Sequence, residues 1–253
     1  MRNRIPQIRL NPDYEKLLNK ANELGYTLPD AKTQQLGMRL IQEMKAAGVW
    51  SKLDVFYVFA TSADCSNFAT LNWKNPAAHQ CTLQNSPIFT AKQGFKGNRS
   101  NMWIDTNYNP STQGTNYELN NASYGCWIYT TFTSGTNIPM GALPTYIIAA
   151  GSTYQIINSS GSENLNSAAD LAGTGHTVIN RVDANNVILF KNKTKIERTR
   201  TSSLVPNATF KLISYTGLNN YSDFELSMAF AGASLVSEND AFVDAFTKYL
   251  TSL

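Results

Sequence analysis

The stretch WIDTNYNPSTQGTNYELNN, Trp103 to Asn121, holds the densest set of groups able to bind something. Asp105, Asn107 and Asn109 offer side-chain oxygens at every second position. A calcium loop of the EF-hand kind begins that way, then needs glycine at its sixth position and glutamate at its twelfth. Here Pro110 takes the glycine position, Asn116 takes the glutamate position, and Glu118 falls two residues late. The pattern argues against tight calcium binding. Sugar sites need aromatic platforms and planar amides, and Tyr108, Tyr117, Tyr124, Asn116 and Asn120 offer both. Asp105, Asn107, Tyr108, Asn109, Asn116, Tyr117, Asn120 and Tyr124 are therefore expected to form a contact surface, for a neighbouring subunit first and for a glycan second.

Catalytic sets are hard to assemble. A retaining glycosidase needs two carboxylates about 5 Å apart, and no Glu-x-Asp-x-Glu run exists. The nearest pair, Asp223 and Glu225, reads as the solvated edge of a strand. His79 and His176 are the only histidines, and neither lies near a G-x-S-x-G signal. Cys81 stands two residues from His79, but no third group is in place to orient the pair. Cys65, Cys81 and Cys126 lack metal spacing and are odd in number, which favours free thiols and a reducing cytoplasm over a disulfide framework. The expectation is a protein that is not an enzyme, with no cofactor and no metal.

Charge narrows the partners further. The net charge is +3 with only 15% charged residues, too small and scattered for nucleic-acid binding. The basic run Lys191 to Arg200 reads as a solvated strand face. No run approaches about 18 apolar residues, so no membrane insertion is expected, and the basic N-terminus lacks the apolar core of a signal peptide.

The elements that must position these groups change character near Trp50. Asn11-Pro12 opens a helix with a stripe of Tyr14, Leu17, Leu18, Ala21 and Leu24, closed by Gly25. Asp30 caps a second helix with Leu36, Leu40, Met44 and Ala47 as its stripe and Gly48 as its stop. Two such helices cannot stand alone in water, so they must pack on the main domain or on a neighbouring subunit. Residues 1–50 are read as a helical segment and 51–253 as a β-sandwich with a terminal helix. Strands are expected over DVFYVFA (54–60, a central strand), FATLNW (68–73), NMWIDT (101–106), GCWIYTTF (125–132), TYIIAA (145–150) and TYQIIN (153–158). Others are HTVINRV (176–182), NVILFK (186–191), TKIERT (194–199), ATFKLIS (208–214) and FELSMAFAGASL (224–235). The three from 176 to 199 form a meander turning at Asp183–Asn185 and Asn192-Lys193. Ser237 with Asp240 suggests a capping box for a last helix bearing Phe242, Phe246, Tyr249 and Leu250.

GFKGNRSNMWIDTNYNP (94–110) and INRVDANNVILFKNKTKI resemble strand pairs of concanavalin A-like, laminin-G-like sandwiches. LIQEMKAAGVWSKLDVFYVFA, LQNSPIFTAKQGFKGN and SENDAFVDAFTKYLTSL resemble virion structural proteins of tailed bacteriophages, a likeness running from about Asn11 to Leu253. The resemblance implies a mostly β, concanavalin A-like jelly-roll sandwich with an N-terminal helical hairpin and a C-terminal helix. It also implies a virion part (tail fibre, tail-associated protein or head decoration) assembled in the bacterial host cytoplasm. Such a protein would be a homo-oligomer touching other virion proteins. The alternative is a carbohydrate-binding module that recognises host surface glycan. Lys193 departs from the family's hairpin glycine, and no family calcium ligand set maps onto the chain.

Overall fold

A computed structural model describes residues 11–131, 138–143, 145–147, 155–159, 173–215 and 218–253. Helix α1 (Pro12–Glu23) starts where the Asn11 side chain accepts the Asp13 amide at 3.0 Å, and Gly25 ends it at φ 68°. Helix α2 (Ala31–Ala46) starts where Asp30 accepts the Thr33 amide at 2.8 Å, and it ends at Gly48, φ 77°. Its buried face is set by Gly37, Met38, Leu40, Ile41 and Met44, with Leu36 only half-buried. A helical turn, α3 (Val49–Lys52), leads into strand β1 (Leu53–Val58) and a second turn, α4 (Ser66–Ala69).

Short strands follow: β2 (Thr82–Gln84), β3 (Ile88–Thr90), β4 (Gly94–Lys96) and β5 (Trp103–Asp105). After the turn α5 (Pro110–Gln113) come β6 (Ala122–Thr130), β7 (Met140–Ala142), β8 (Thr145–Ile147) and β9 (Gln155–Ile156). The meander is β10 (Gly175–Arg181), β11 (Asn186–Lys191) and β12 (Thr194–Thr199). The chain closes with β13 (Lys211–Leu212), β14 (Ser214–Tyr215), β15 (Leu218–Tyr221), β16 (Glu225–Gly232) and helix α6 (Asn239–Ser252).

Two antiparallel sheets lie face to face. The larger runs β12-β11-β10-β6-β16-β4-β3, with β1 also paired to β16; the smaller runs β2-β5-β13-β7-β8-β9. Alternation along each strand of the larger sheet feeds two cores. Val55 and Tyr57 of β1, Tyr124 and Cys126 of β6, and Leu189 of β11 face the smaller sheet. Phe56, Val58, Val178, Phe190 and Phe230 face the other way, into a layer made by α1, α2 and α6. That double burial explains why DVFYVFA is apolar at nearly every position, since a strand covered on both sides shows no polar face. The expected mostly β, concanavalin A-like sandwich with its flanking helices is the fold observed, and the helices pack on the larger sheet of their own chain.

Several expectations need correction. DVFYVFA is not central: β1 pairs only with β16 among the described residues. Its other edge is closed by a loop, where Asn72 Oδ1 accepts the Phe56 amide at 3.1 Å and the Trp73 amide donates to the Phe56 carbonyl at 2.7 Å. FATLNW is no strand but α4 and the loop after it, its apolar residues Phe68, Leu71 and Trp73 being buried under the helices. The capping box does not form, because α6 begins at Asn239 with Glu238 before it and no side-chain cap. Lys193 needs no glycine, because Asn192 takes the left-handed conformation at φ 53°. Of TYIIAA and TYQIIN, β8 and β9 are seen, and residues 148–154 lie outside the described ones. The strands of 82–96 carried no readable pattern at three residues each. One of them depends on Gly94, at φ 125°, where a Cβ would sit 1.9 Å from the Leu226 carbonyl oxygen.

Candidate functional site

The 105–124 stretch is organised by a residue outside it. Between Leu53, paired with Gly232, and Val55, paired with Ala231, the β1 register slips, leaving Asp54 without a partner on β16. Such a bulge re-aims its side chain. Asp54 Oδ1 accepts from the Asn116 amide at 2.9 Å, Asn116 Nδ2 at 2.9 Å and Thr115 Oγ1 at 2.8 Å. Oδ2 accepts from the Tyr108 hydroxyl at 2.7 Å and the Tyr117 amide at 2.9 Å. One carboxylate thus gathers three successive backbone amides or side chains of a loop some sixty residues away, and both its oxygens are saturated.

The expected contact residues divide accordingly. Tyr108, Tyr117 and Tyr124, expected on the surface, lie in the core between the sheets. They surround Phe210, with ring centroids 6.4, 6.1 and 5.0 Å away. The physical reason is that each phenol can be buried beside an apolar ring, and the hydroxyls of Tyr108 and Tyr117 find acceptors in Asp54 and, at 2.9 Å, Asn158. Burial, with the Asp54 carboxylate behind it, drives the Tyr108 phenol well above its ordinary pKa, and burial does the same for Tyr117.

The other candidates are tied into the protein's own hydrogen bonds, Asn107 and Asn120 from exposed positions. Asp105 Oδ1 accepts the Asn107 amide at 2.9 Å. Asn109 caps α5 through the Ser111 amide at 3.0 Å and reaches Asn207. Asn120 accepts from Ser202 Oγ at 2.6 Å. Asn107, at φ 53°, donates through Nδ2 to the Gln80 carbonyl at 2.7 Å and to Thr82 Oγ1 at 2.8 Å. Among the described residues no group of three His, Cys, Asp or Glu side chains is arranged for a metal ion. Asp223 and Glu225 are buried rather than on a solvated edge, and Glu225 accepts from Thr130 Oγ1 at 2.8 Å.

What remains open is a cleft of about 420 Å³ above Asp54, within the size range of small-ligand sites. Its walls present Asn75, His79, Gln113, Thr115 and Asn116. His79 Nδ1 lies 2.9 Å from the Asn107 carbonyl oxygen, which can only accept. That fixes the proton on Nδ1 and leaves Nε2 as the acceptor of the neutral ring. Lys74 also lines the cleft, but its ammonium donates to the Trp50 carbonyl and sits 4.9 Å over the Trp50 ring. Burial holds its pKa below the usual lysine value. The cleft is therefore a concave, mostly uncharged array of amides and hydroxyls on a rigid base. Sequence reasoning missed Asp54, Asn75, Gln113 and Thr115, and had set His79 aside. The one available signal was a carboxylate at the head of an otherwise apolar run.

No known family model matches the sequence, and no curated protein matches it. Solved structures do. Trypanosoma rangeli sialidase in complex with sialic acid superposes with a TM-score of 0.50 and 11% identity, over 83% of this chain and 38% of that one. The binding domain of botulinum neurotoxin serotype D gives 0.50 and 8%, over 79% of this chain and 52% of that one. Domain 4 of AbnA, an extracellular arabinanase from Geobacillus stearothermophilus, in complex with arabinotriose, gives 0.49 and 16%, over 76% of this chain and 98% of that domain. This chain thus spans well under two thirds of the sialidase and about half of the neurotoxin domain. At these identities the first two similarities show a shared sandwich fold.

Proposed function

We propose that this chain is a non-catalytic glycan-recognition module that holds a sugar in the cleft above Asp54. The observation that carries the reading is the cleft itself: uncharged amides and hydroxyls converge there, fixed from behind by a fully occupied carboxylate. Sugars are recognised by such planar amides and hydroxyls, and prior ordering of these groups lowers the entropy cost of binding. Folds alone do not assign functions. The sandwich shared with a sialidase solved with sialic acid and with a neurotoxin binding domain is nevertheless congruent with recognition. Of the two readings drawn from the sequence, these likenesses support glycan binding over subunit contact in a virion. A particle surface, as the phage resemblance implies, remains the setting in which such a module would act.

A glycan array, followed by calorimetry on the best hits, tests the proposal. Binding is expected without added calcium, and Asn75→Ala with Gln113→Ala is expected to weaken it about tenfold or more. An array silent with and without calcium would overturn the reading.

A further inference from the structure

The cleft above Asp54 has a neighbour. A second open cleft, about 470 Å³, is lined by Asn67, Thr70, Gln80, Thr82, Leu83 and Asn107. The division runs between adjacent residues on two loops: His79 and Tyr108 line the first cleft, Gln80 and Asn107 the second. The ridge between them is the hydrogen bond from His79 Nδ1 to the Asn107 carbonyl, 2.9 Å long. It is a built ridge. His79 and Asn107 both adopt left-handed backbone, at φ 56° and 53°, a conformation that histidine and asparagine take more readily than most residues. The two Asn107 Nδ2 bonds, to the Gln80 carbonyl and Thr82 Oγ1, tie the ridge to the floor of the second cleft. Gln80 Nε2 donates in turn to the Tyr26 hydroxyl at 2.7 Å and to Thr70 Oγ1 at 3.0 Å.

The second cleft is lined by no charged side chain. In the first, both charges are already committed, Asp54 to the loop and Lys74 to Trp50. From these placements we infer that the site takes a linear, uncharged oligosaccharide, with consecutive units lying on either side of the His79–Asn107 ridge, rather than one terminal sugar. This inference rests on the glycan-binding reading and adds the ligand class to it. A single sugar occupies one cleft and leaves the other wet; a chain crossing the ridge gains a second set of hydrogen bonds without a second loss of translational and rotational freedom.

The test is calorimetry of the whole chain against cello-, xylo-, manno-, chito- and arabino-oligosaccharides, each series from monosaccharide to hexasaccharide. In the series that binds, affinity is expected to rise about tenfold or more between the monosaccharide and the tetrasaccharide. Asn67→Met narrows the second cleft from an exposed position without adding an aromatic platform, and is expected to abolish that rise. Asn67→Arg serves the same purpose if the methionine variant unfolds. Measurable binding with no length dependence overturns this inference and leaves the glycan reading standing. A length dependence that survives both variants also overturns it. Binding to none of the series, with array hits only on branched or charged glycans, overturns this inference alone; an array that is silent as well removes both.

Discussion

Replacing Asp54 by asparagine preserves shape and removes one acceptor atom. Whichever way the amide is turned, its NH2 group must face donors. In place of Oδ2 it meets the Tyr117 amide; in place of Oδ1 it meets the Asn116 amide. The Tyr108 and Thr115 hydroxyls can reverse to accept, but backbone N–H groups cannot. With the NH2 group in place of Oδ2 the Tyr117 amide loses its partner, and with it in place of Oδ1 the Asn116 amide keeps only its 3.1 Å bond to the other oxygen; the bonds that survive become neutral rather than charge-assisted. A hydrogen bond to a charged group contributes about 1.5–3 kcal/mol, and a buried unsatisfied donor costs about 1–3 kcal/mol. Because Thr115 is exposed and Asn116 half-buried, water relieves part of the loss. We expect Asp54→Asn to lower stability by about 2–4 kcal/mol. Urea unfolding should show a lower midpoint with an unchanged slope. Glycan affinity should fall as well, because the wall of the cleft loses its support. A loss under about 1 kcal/mol would refute the reasoning. It would mean that packing of Tyr108 and Tyr117 around Phe210, not the carboxylate, fixes the loop.

Other outcomes follow from the helical layer. A Cβ on Gly37 would lie 2.4 Å from Tyr14 Cε2, so Gly37→Ala should cost about 1–3 kcal/mol despite the better helix propensity, as read by thermal unfolding. His176 is buried against Phe230 and Phe242, with burial first and Lys191 second holding its pKa down to about 3. The unfolded chain takes up a proton below about pH 6.5 that the folded chain refuses. Stability should thus be unaffected by this group above that pH and fall by about 1.4 kcal/mol per unit as pH drops toward 3. His176→Phe should remove that part of the pH dependence, so that wild type loses more stability than the variant between pH 7 and pH 4 in urea unfolding. Cys65, Cys81 and Cys126 are buried, and burial pushes the Cys126 thiol up to about 12. A thiol reagent should label none of them until denaturant is added. Deleting residues 11–48 should expose Phe56, Val58 and Phe230 and give an aggregating protein by light scattering. A soluble, folded product would show that the helices serve some purpose other than covering the sheet.

What was legible in the sequence was whatever rests on periodicity or local chemistry. The caps at Asn11 and Asp30 and the Gly25 and Gly48 stops locate the first helices to within a residue, because each cap bonds to a neighbour two or three positions away. The meander was equally plain, since β10 to β12 alternate and turn on local asparagines. Long-range accounting was not legible. Nothing near Asp54 in the chain announces that its partners lie at 108 and 115–117. Tyr108 and Tyr117 sit among Asn, Thr and Pro, where a tyrosine looks exposed, and only Phe210, a hundred residues later, gives their rings an interior. FATLNW was misread because burial of Phe68, Leu71 and Trp73 follows a helical turn and a loop, yet their spacing mimics a strand.

The pairing of β1 with β16, Phe56 opposite Phe230, also dictates how the chain can reach this structure. On a ribosome, the helices and β1 emerge long before the strand and the final helix that complete their layer. For that interval a strand apolar on both faces has no permanent cover. Contacts so distant in sequence impose a large loop-closure entropy, and folding dominated by them is slow, in the range of milliseconds to seconds. Truncated chains ending before residue 225 should accordingly be the species most dependent on chaperones.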